Sequence, residues 1–236
     1  MTYVEGFVLA VPTANKEAYR SHAAQAAPLF HEFGARRLVE NWPDDVHVGK
    51  VTDFPRAVQQ KDDEETLFSW IEYPDRATRD AANVKIMSDP RMEAMAGEMP
   101  FDGKRMIFGG FRTIVEEGSG RGSYIDGILI PLPDANRDAY LALAQEMAGK
   151  FLSHGAVRVV ETLGDDVPDG KLTDFARAVA LKEGETVVFS WIEWPDKATR
   201  MAGWGAMMAD DSMAGRAMPF DGQRMIYGGF ANIVDA

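Results

Sequence analysis

The chain has 236 residues, 46% of them hydrophobic, which is enough for one large domain or two small ones with a substantial core. It contains no cysteine, which excludes disulfides, thiolate metal sites and cysteine nucleophiles. The formal net charge is −12 and acidic residues outnumber basic ones in both halves, so we expect no binding to nucleic acid. The first apolar run is short and lacks a basic start, so we expect a cytoplasmic protein that does not enter a membrane.

One unit of sequence occurs twice. Residues 99–111 read MPFDGKRMIFGGF, and residues 218–230 read MPFDGQRMIYGGF. The polar stretch EEGSGRGS between the copies has the composition of a flexible linker. We therefore divide the chain into a first repeat (1–115), a linker (116–123) and a second repeat (124–236), because a period of this length indicates a domain duplication.

The first half of each repeat predicts a strand, a helix and a second strand. Residues 3–11 form an apolar, β-rich run that is typical of a strand. Asn15 is the predicted N-cap of the helix that follows, and Pro28 predicts a bend or an early end within it. Residues 35–41 predict the next strand. The polar stretch beyond it is expected to carry one or two short extra strands around residues 50–58.

The second half of each repeat predicts the same pattern. Residues 66–73 are the clearest strand, Asp75 is the predicted cap of a helix, a short helix is expected to follow, and residues 104–115 predict the last strand. The order βαβ–βαβ, given twice, predicts an α+β fold of two ferredoxin-like (βαββαβ) repeats. Because the open sheet faces are rich in apolar residues, we expect them to pack sheet to sheet as an intramolecular dimeric α+β barrel.

Two stretches of the sequence resemble a known family. The run FSWIEYPDRATRDAANVKIMSDPRM at residues 68–92, followed by the motif at 99–111, is similar to the YbaA-like family of uncharacterised bacterial proteins. Shorter motifs at residues 42–45, 49–50 and 54–58 resemble it too. The resemblance covers nearly the whole of each copy. It implies a dimeric α+β barrel and no established activity, and it implies one copy per chain in most members, whereas this chain holds two.

The number and spacing of the histidines give little support for a metal or cofactor site. The four histidines are not repeated and have no ligand spacing such as HxxxH, so we expect no metal and no cofactor. The carboxylate pair Asp44 and Asp45 recurs as Asp165 and Asp166. Such pairs can bind a cation, but we favour a turn in which each carboxylate accepts hydrogen bonds from local backbone amides.

The second predicted helix differs most between the copies. Asp80 corresponds to Met201, and Asn83 corresponds to Trp204. Arg79 with Asp80 and Asn83 could bind a carboxylate-bearing ligand, or the three could form a surface or capping network. Positions that differ between the copies are therefore where we look for function.

Seven residues of the first repeat make up the candidate ligand-binding site, and the catalytic residues stay unidentified. They lie on the predicted first helix, the clearest strand, the second helix and the start of the last strand: Tyr19, His22, Trp70, Arg79, Asp80, Asn83 and Arg105. Packing is the alternative for Trp70, and a buried ion pair with Asp102 is the alternative for Arg105.

These observations favour one function and leave a second open. We expect the first repeat to bind, and in one version to convert without a cofactor, a small organic ligand in a barrel pocket. The chain would be a pseudo-dimer in itself, either as a monomer or as a homodimer. The alternative is a non-catalytic protein-interaction module that uses the second helix of the second repeat, which carries Met201, Trp204, Met207 and Met208.

Overall fold

The computed structural model describes residues 2–97, 99–210 and 215–236. In the first repeat the elements are β1 (Tyr3–Pro12), α1 (Lys16–Glu32), β2 (Arg37–Val46), α2 (Phe54–Ala57), β3 (Glu64–Tyr73), α3 (Arg76–Ser88), α4 (Pro90–Ala96) and β4 (Ile107–Gly118). In the second they are β5 (Tyr124–Pro133), α5 (Arg137–Ser153), β6 (Arg158–Asp166), α6 (Phe175–Ala178), β7 (Glu185–Trp194), α7 (Lys197–Met208) and β8 (Ile226–Asp235). Of the helices in these ranges, none is both long and apolar enough to cross a membrane.

The strands form one closed antiparallel barrel. Their order is β1-β3-β2-β8-β5-β7-β6-β4, and β4 closes the barrel against β1. The repeats meet edge to edge, because β2 pairs with β8 and β4 pairs with β6. The predicted combination of helices with an antiparallel barrel is therefore confirmed, in the form of a single eight-stranded sheet closed on itself.

Aromatic side chains from both repeats fill the barrel interior. Phe68 stacks on Phe189 and Trp70 stacks on Trp191, each with ring centroids 4.4 Å apart. Gly6 makes room for this packing, since a Cβ atom there would lie 2.7 Å from the ring of Phe189. Because each ring packs on its counterpart from the other repeat, the two repeats share one interior core.

Two reciprocal ion pairs bind the repeats to each other near one end of this core. Arg37 donates two hydrogen bonds to Glu193, at 2.7 and 2.8 Å, and Arg158 donates two to Glu72, also at 2.7 and 2.8 Å. All four residues are buried. A buried bidentate pair fixes geometry as well as charge, so these contacts define how the repeats are oriented.

The prediction for residues 50–58 is wrong, because this stretch holds the short helix α2 and no strand. Asp53 caps α2 by accepting a hydrogen bond from the backbone N–H of Arg56 at 2.7 Å. Phe54 is fully buried and its ring packs 5.8 Å from that of Phe68. The helix thus inserts an aromatic residue into the end of the barrel, a tertiary contact that the local pattern does not encode.

The helix caps follow the predictions in part. Asp75 accepts a hydrogen bond from the backbone N–H of Thr78 at 2.8 Å, as expected for an N-cap. Asn15 precedes α1 but makes no capping bond, and its side chain instead donates to the carbonyl of Pro100 at 2.8 Å. Pro28 lies inside α1 without ending the helix early. The Asn15 contact connects the start of α1 to the repeated motif that precedes β4.

Candidate functional site

A cavity of about 320 Å³ lies in the first repeat, between the barrel and the helices. Its floor is the outer face of β1, β2 and β3, and its walls come from α1, α3, α4 and the segment leading into β4. The lining is mostly apolar and rich in aromatic and thioether side chains: Phe7, Phe30, Phe101, Met92, Met95, Met99 and Met106. Such linings adapt to apolar ligands, and the volume suits a small one.

Strand alternation decides which side chains reach the cavity. Along β3, Trp70 points into the barrel, so its neighbour Ser69 points outward to the helices. By the same rule, β1 presents Glu5 and β2 presents Glu40 to the cavity. On the facing side of α1, the small residues Ala23 and Ala26 leave space above the sheet.

The cavity separates two groups of apolar side chains that pack between the barrel and the helices. Among the described residues, the side chains in this position form two apolar clusters in the first repeat but one cluster in the second. One first-repeat cluster contains Phe33 and Tyr73, and the other contains Tyr19 and Trp42. The cavity lies between them, since residues of both clusters line it.

Glu40 is the polar centre of one end of the cavity. Its carboxyl group accepts a hydrogen bond from the Tyr19 hydroxyl at 2.6 Å and another from the Ser69 hydroxyl. Burial raises the pKa of Glu40 to about 7, although both hydroxyl donors act in the opposite direction. Near neutral pH this carboxyl therefore exists in both protonation states, which is the condition for exchanging a proton with a bound molecule.

Glu5 provides a second carboxyl group. It is 5% exposed, and the Asn83 side-chain amide donates to it at 3.2 Å. Burial raises its pKa, so Glu5 holds its proton more tightly than an exposed glutamate. The nearby Tyr73 hydroxyl is buried and has no hydrogen-bond partner within the described part of the chain. Tyr73 does not line the cavity, so Glu5 and Asn83 are the polar groups that this end presents to a ligand.

The strand register separates the two carboxyl groups. Glu40 lies opposite Ser69, which lies opposite Phe7, and Phe7 is two residues from Glu5 along β1. Two strand spacings of about 4.8 Å and two rises of about 3.4 Å place the Cα atoms of Glu40 and Glu5 about 12 Å apart. The carboxyl groups therefore mark different ends of the cavity floor.

Three of the seven residues predicted from the sequence line this cavity: Tyr19, His22 and Asn83. Trp70 lies on the opposite face of its strand, within the barrel core. Arg105 is buried and donates two hydrogen bonds to Glu64, at 2.6 and 2.7 Å, and one to Asp102 at 3.0 Å. Trp70 and Arg105 thus occupy packing and ion-pair positions away from the cavity.

The structure does not bring Arg79 and Asp80 together with Asn83 at one ligand site. Arg79 is buried and donates to the hydroxyl of Tyr3 at 3.0 Å and to Asp166 of the second repeat at 2.7 Å. Asp80 is exposed and lies 3.3 Å from the Arg79 guanidinium. This arginine therefore joins the two repeats, while Asn83, one turn further along α3, faces the cavity.

The repeated acidic pairs have the same joining role. Asp165 and Asp166 accept hydrogen bonds from the first repeat, and Asp45 accepts one from Arg200 at 2.6 Å in the second. The favoured prediction that they bond to local turn amides does not describe these contacts, because their partners lie in the other repeat. Within the described residues there is no group of three or more His, Cys, Asp or Glu side chains that could hold a metal ion.

Sequence reasoning missed Glu40, Ser69 and Glu5 as site residues. A signal for Glu40 was present, since this glutamate lies inside an apolar strand and recurs as Glu161 in the second repeat. A carboxylate that is retained in a buried strand requires partners or a raised pKa. That argument would have singled out Glu40, but it would not have shown that a cavity lies beside it.

The second repeat retains the tyrosine–glutamate contact of Glu40, but the Ser190 hydroxyl, at the position of Ser69, has no hydrogen-bond partner among the described residues. Glu161 accepts a hydrogen bond from the Tyr140 hydroxyl at 2.6 Å, and burial raises its pKa to about 7. Larger side chains surround it, because Met147 and Leu143 stand where α1 has Ala26 and His22. Met147 packs against the apolar cluster that connects α5 and the barrel, which narrows the space above Glu161.

Asp126, the counterpart of Glu5 in the second repeat, accepts hydrogen bonds from three side chains of its own repeat. Asp126 accepts hydrogen bonds from Trp194 at 2.8 Å, Trp204 at 2.7 Å and Arg200 at 2.9 Å. The ring of Trp204, at the position of Asn83, also packs 5.1 Å from that of Phe151. The second repeat therefore uses this acidic position for internal structure, whereas in the first repeat the same position faces a cavity.

Three solved structures share this fold. A proposed monooxygenase from Fusobacterium nucleatum subsp. nucleatum ATCC 25586 has a TM-score of 0.61 and 9% identity, covering 99% of this chain and 93% of its own. A second, from Lactobacillus acidophilus NCFM, has a TM-score of 0.56 and 10% identity, covering 100% and 96%. An anthrone oxidase-like protein has a TM-score of 0.56 and 11% identity, covering 100% and 92%. At such low identity the likeness concerns the fold alone.

Sequence comparison identifies the relatives. The uncharacterized protein YbaA of Escherichia coli (strain K12) is 62% identical over 117 residues, which are 50% of this chain and 100% of YbaA. This agrees with two fused copies of a YbaA-like unit. The model of the family described as "Protein of unknown function (DUF1428)" matches residues 2–103 and again residues 123–222. The chain therefore belongs to the DUF1428 family, and the predicted resemblance is confirmed.

Proposed function

We propose that the first repeat binds a small organic molecule with an apolar body and a neutral oxygen-containing group. The observation that carries this proposal is the 320 Å³ cavity, in which a nearly continuous apolar lining surrounds the carboxyl of Glu40. An apolar body would displace water from methionine and phenylalanine side chains, which is favourable at about 25 cal/mol per Å². The oxygen group would exchange hydrogen bonds with Glu40 and its hydroxyl partners.

The electrostatics argue for a neutral ligand over an anionic one. Glu5 and Glu40 are the acidic groups of the lining, and among the described lining residues only His22 belongs to the basic amino acids. A carboxylate or phosphate would meet like charge in a low-dielectric environment, which is unfavourable. Of the two alternatives for Arg79, its hydrogen bonds to Tyr3 and Asp166 favour a structural network over the binding of a carboxylate-bearing ligand.

We also propose that each repeat corresponds to one ferredoxin-like unit, with residues 1–115 and 124–236 in the two units; of the predicted linker at 116–123, residues 116–118 continue strand β4 and pair with β6. Support comes from the family model, which matches the chain twice, and from the strand order β4-β1-β3-β2 within the first repeat. Because each unit has its own helix layer, the space between that layer and the barrel can differ between the two copies.

Fluorescence titration with 2-naphthol, a neutral apolar phenol, tests ligand binding. The second repeat supplies the blocking substitutions, because Ala26→Met and Asn83→Trp copy Met147 and Trp204 into the first repeat. We expect the double variant to bind 2-naphthol at least tenfold more weakly than the wild type, since the new side chains occupy the cavity. Unchanged affinity would refute this location for the site.

A matched control separates a local effect from general disturbance. Met147→Ala shortens the corresponding side chain in the second repeat, at the position where α1 has Ala26. This variant should keep the wild-type affinity at the first-repeat cavity, and the thermal melting of every variant should show that it is folded. Loss of binding in the Met147→Ala variant would indicate that the dye reports on the whole chain and not on the cavity.

The alternative function is a protein-interaction module, and fewer residues of α7 support it than the sequence predicts. Trp204 is partly buried and bonded to Asp126 within its own repeat, which leaves less of its surface for contact with a partner. Met201 and Met208 are 55% and 82% exposed on α7. Exposed methionines alone do not specify a partner, so the cavity supports the ligand-binding proposal better.

A further inference from the structure

We propose that the Glu40 carboxyl is an acid–base group that transfers a proton to and from a carbon atom next to a carbonyl group of the bound molecule. This inference rests on the proposed ligand-binding function, because the proton must come from a molecule held in the first-repeat cavity. It assigns a chemical role to Glu40 and a substrate class, carbonyl compounds with an acidic C–H bond.

The geometry at Glu40 meets the requirements of such a group. The carboxyl lines the cavity, so a bound molecule reaches it directly. Two hydroxyl groups, of Tyr19 and Ser69, donate to the carboxyl, and both residues also line the cavity. A proton acceptor next to two hydrogen-bond donors in an apolar site can remove a proton and stabilise the charge that appears beside it.

The step conserves atoms and electrons without a further reactant. The C–H bond of the ligand breaks and the proton bonds to a carboxylate oxygen of Glu40. The electron pair of that bond forms a carbon–carbon double bond, and the π pair of the carbonyl moves onto its oxygen to give an enolate. The negative charge thereby passes from Glu40 to an oxygen close to it, where the Tyr19 and Ser69 hydroxyls can donate. Return of the proton from Glu40 to carbon or oxygen gives back the ketone or its tautomer.

Two further observations support this assignment. The pKa of Glu40, at about 7, gives a substantial carboxylate fraction at neutral pH together with a basicity well above that of an ordinary glutamate. Glu5, to which Asn83 donates, lies at the other end of the floor with its Cα atom about 12 Å from that of Glu40, so we expect it to contact a different part of the ligand. Glu5 and Asn83 are placed to recognise a second polar group and thus to select ligands by length.

Hydrogen–deuterium exchange of 2-tetralone in D₂O tests the proposal, because exchange at its acidic carbon requires proton transfer and nothing else. Proton NMR follows the loss of the C1–H signal with and without the protein. We expect the wild-type chain to accelerate exchange at least tenfold over buffer at the same pH. We expect Glu40→Gln to abolish the acceleration, since a neutral amide of the same shape cannot accept the proton.

The matched control is Glu161→Gln, which removes the equivalent carboxyl of the second repeat. This variant should retain the wild-type acceleration, because the assignment concerns the first-repeat cavity. Displacement of 2-naphthol by 2-tetralone measures binding in the same samples. If 2-naphthol and 2-tetralone do not bind, the binding proposal and this inference both fail; if they bind and Glu40→Gln exchanges as fast as the wild type, only the inference fails.

Tyr19 is a positioning residue in this scheme, and its role has a separate readout. Its hydrogen bond lowers the pKa of Glu40 against the effect of burial. In Tyr19→Phe, the exchange acceleration should therefore reach its half-maximum at a higher pH than the wild-type value near 7. An identical pH profile would show that the Tyr19 hydroxyl does not act on Glu40.

A second variant, Glu40→Asp, keeps a carboxyl group at this position. It should show part of the exchange activity that Glu40→Gln loses.

Discussion

The two partly exposed glutamates Glu40 and Glu161, whose pKa values are raised, predict a specific dependence of stability on pH. Burial raises the pKa of Glu40 and that of Glu161 from 4.5 to about 7 in the folded protein. A carboxyl whose pKa is higher when folded binds its proton more tightly in the folded state. Its stabilising contribution is therefore complete below pH 4.5 and is lost as the pH rises through 7.

The magnitude follows from the size of the shift. One pKa unit corresponds to about 1.4 kcal/mol, so a shift from 4.5 to 7 amounts to about 3 kcal/mol for each glutamate at high pH. Part of the loss occurs below pH 5, which leaves a decrease of about 2.5 kcal/mol per group between pH 5 and pH 8. Carboxyl groups in ion pairs, such as Glu64 and Glu185, have lowered pKa values and do not titrate in this interval.

Urea unfolding of the wild type, Glu40→Gln and Glu161→Gln at pH 5 and pH 8 measures this effect. Glutamine cannot titrate, so each variant should lose about 2.5 kcal/mol less stability than the wild type between the two pH values. Taking the difference between pH values cancels any constant cost of the substitution. Parallel curves for the wild type and Glu40→Gln would show that the pKa of this carboxyl is not raised, which would also remove support for its role in proton transfer.

Two further substitutions test the shared architecture. Arg105→Ala leaves the buried carboxylate of Glu64 without its bidentate partner, and chemical denaturation should show a loss of about 2–4 kcal/mol, while 2-naphthol affinity should be unchanged. A change in affinity without a loss of stability would instead support Arg105 as a ligand contact. Gly6→Ala places a Cβ atom 2.7 Å from the ring of Phe189 and should cost about 1–3 kcal/mol by thermal melting. Wild-type stability in Gly6→Ala would contradict the close packing across the repeats.

The sequence predicted those features of the fold that depend on local pattern and on repetition. Apolar, β-rich runs located β1 and β3, Asp75 was correctly placed as a helix cap, and the duplicated motif revealed the two copies. The stretch at 50–58 was misjudged because its helix is stabilised by the burial of Phe54 in the barrel, a contact between distant parts of the chain. Local propensity does not report such contacts.

For the candidate site, sequence comparison between the copies was informative for Asn83 but not for Arg79. Asn83 and Trp204 differ because one faces a cavity and the other packs against Phe151. Arg79 has an equivalent in Arg200, and both arginines bond to an aspartate of the other repeat. Agreement between the copies at this position therefore reflected the contact between them, which only the assembled barrel reveals.

The duplicated architecture explains how one repeat tolerates an open cavity. The cavity is partly open to solvent, so the cost of about 24 cal/mol per Å³ that applies to an enclosed empty void is an upper limit for this 320 Å³ space. The barrel interior offsets this, because it is built from both repeats and its rings stay packed whether or not the outer helix layer is complete. In the second repeat, three donors hold Asp126 and Trp204 strengthens the helix layer. In the first repeat Glu5 and Glu40 face a cavity, and these are the two carboxyls on which the proposed binding and proton transfer depend.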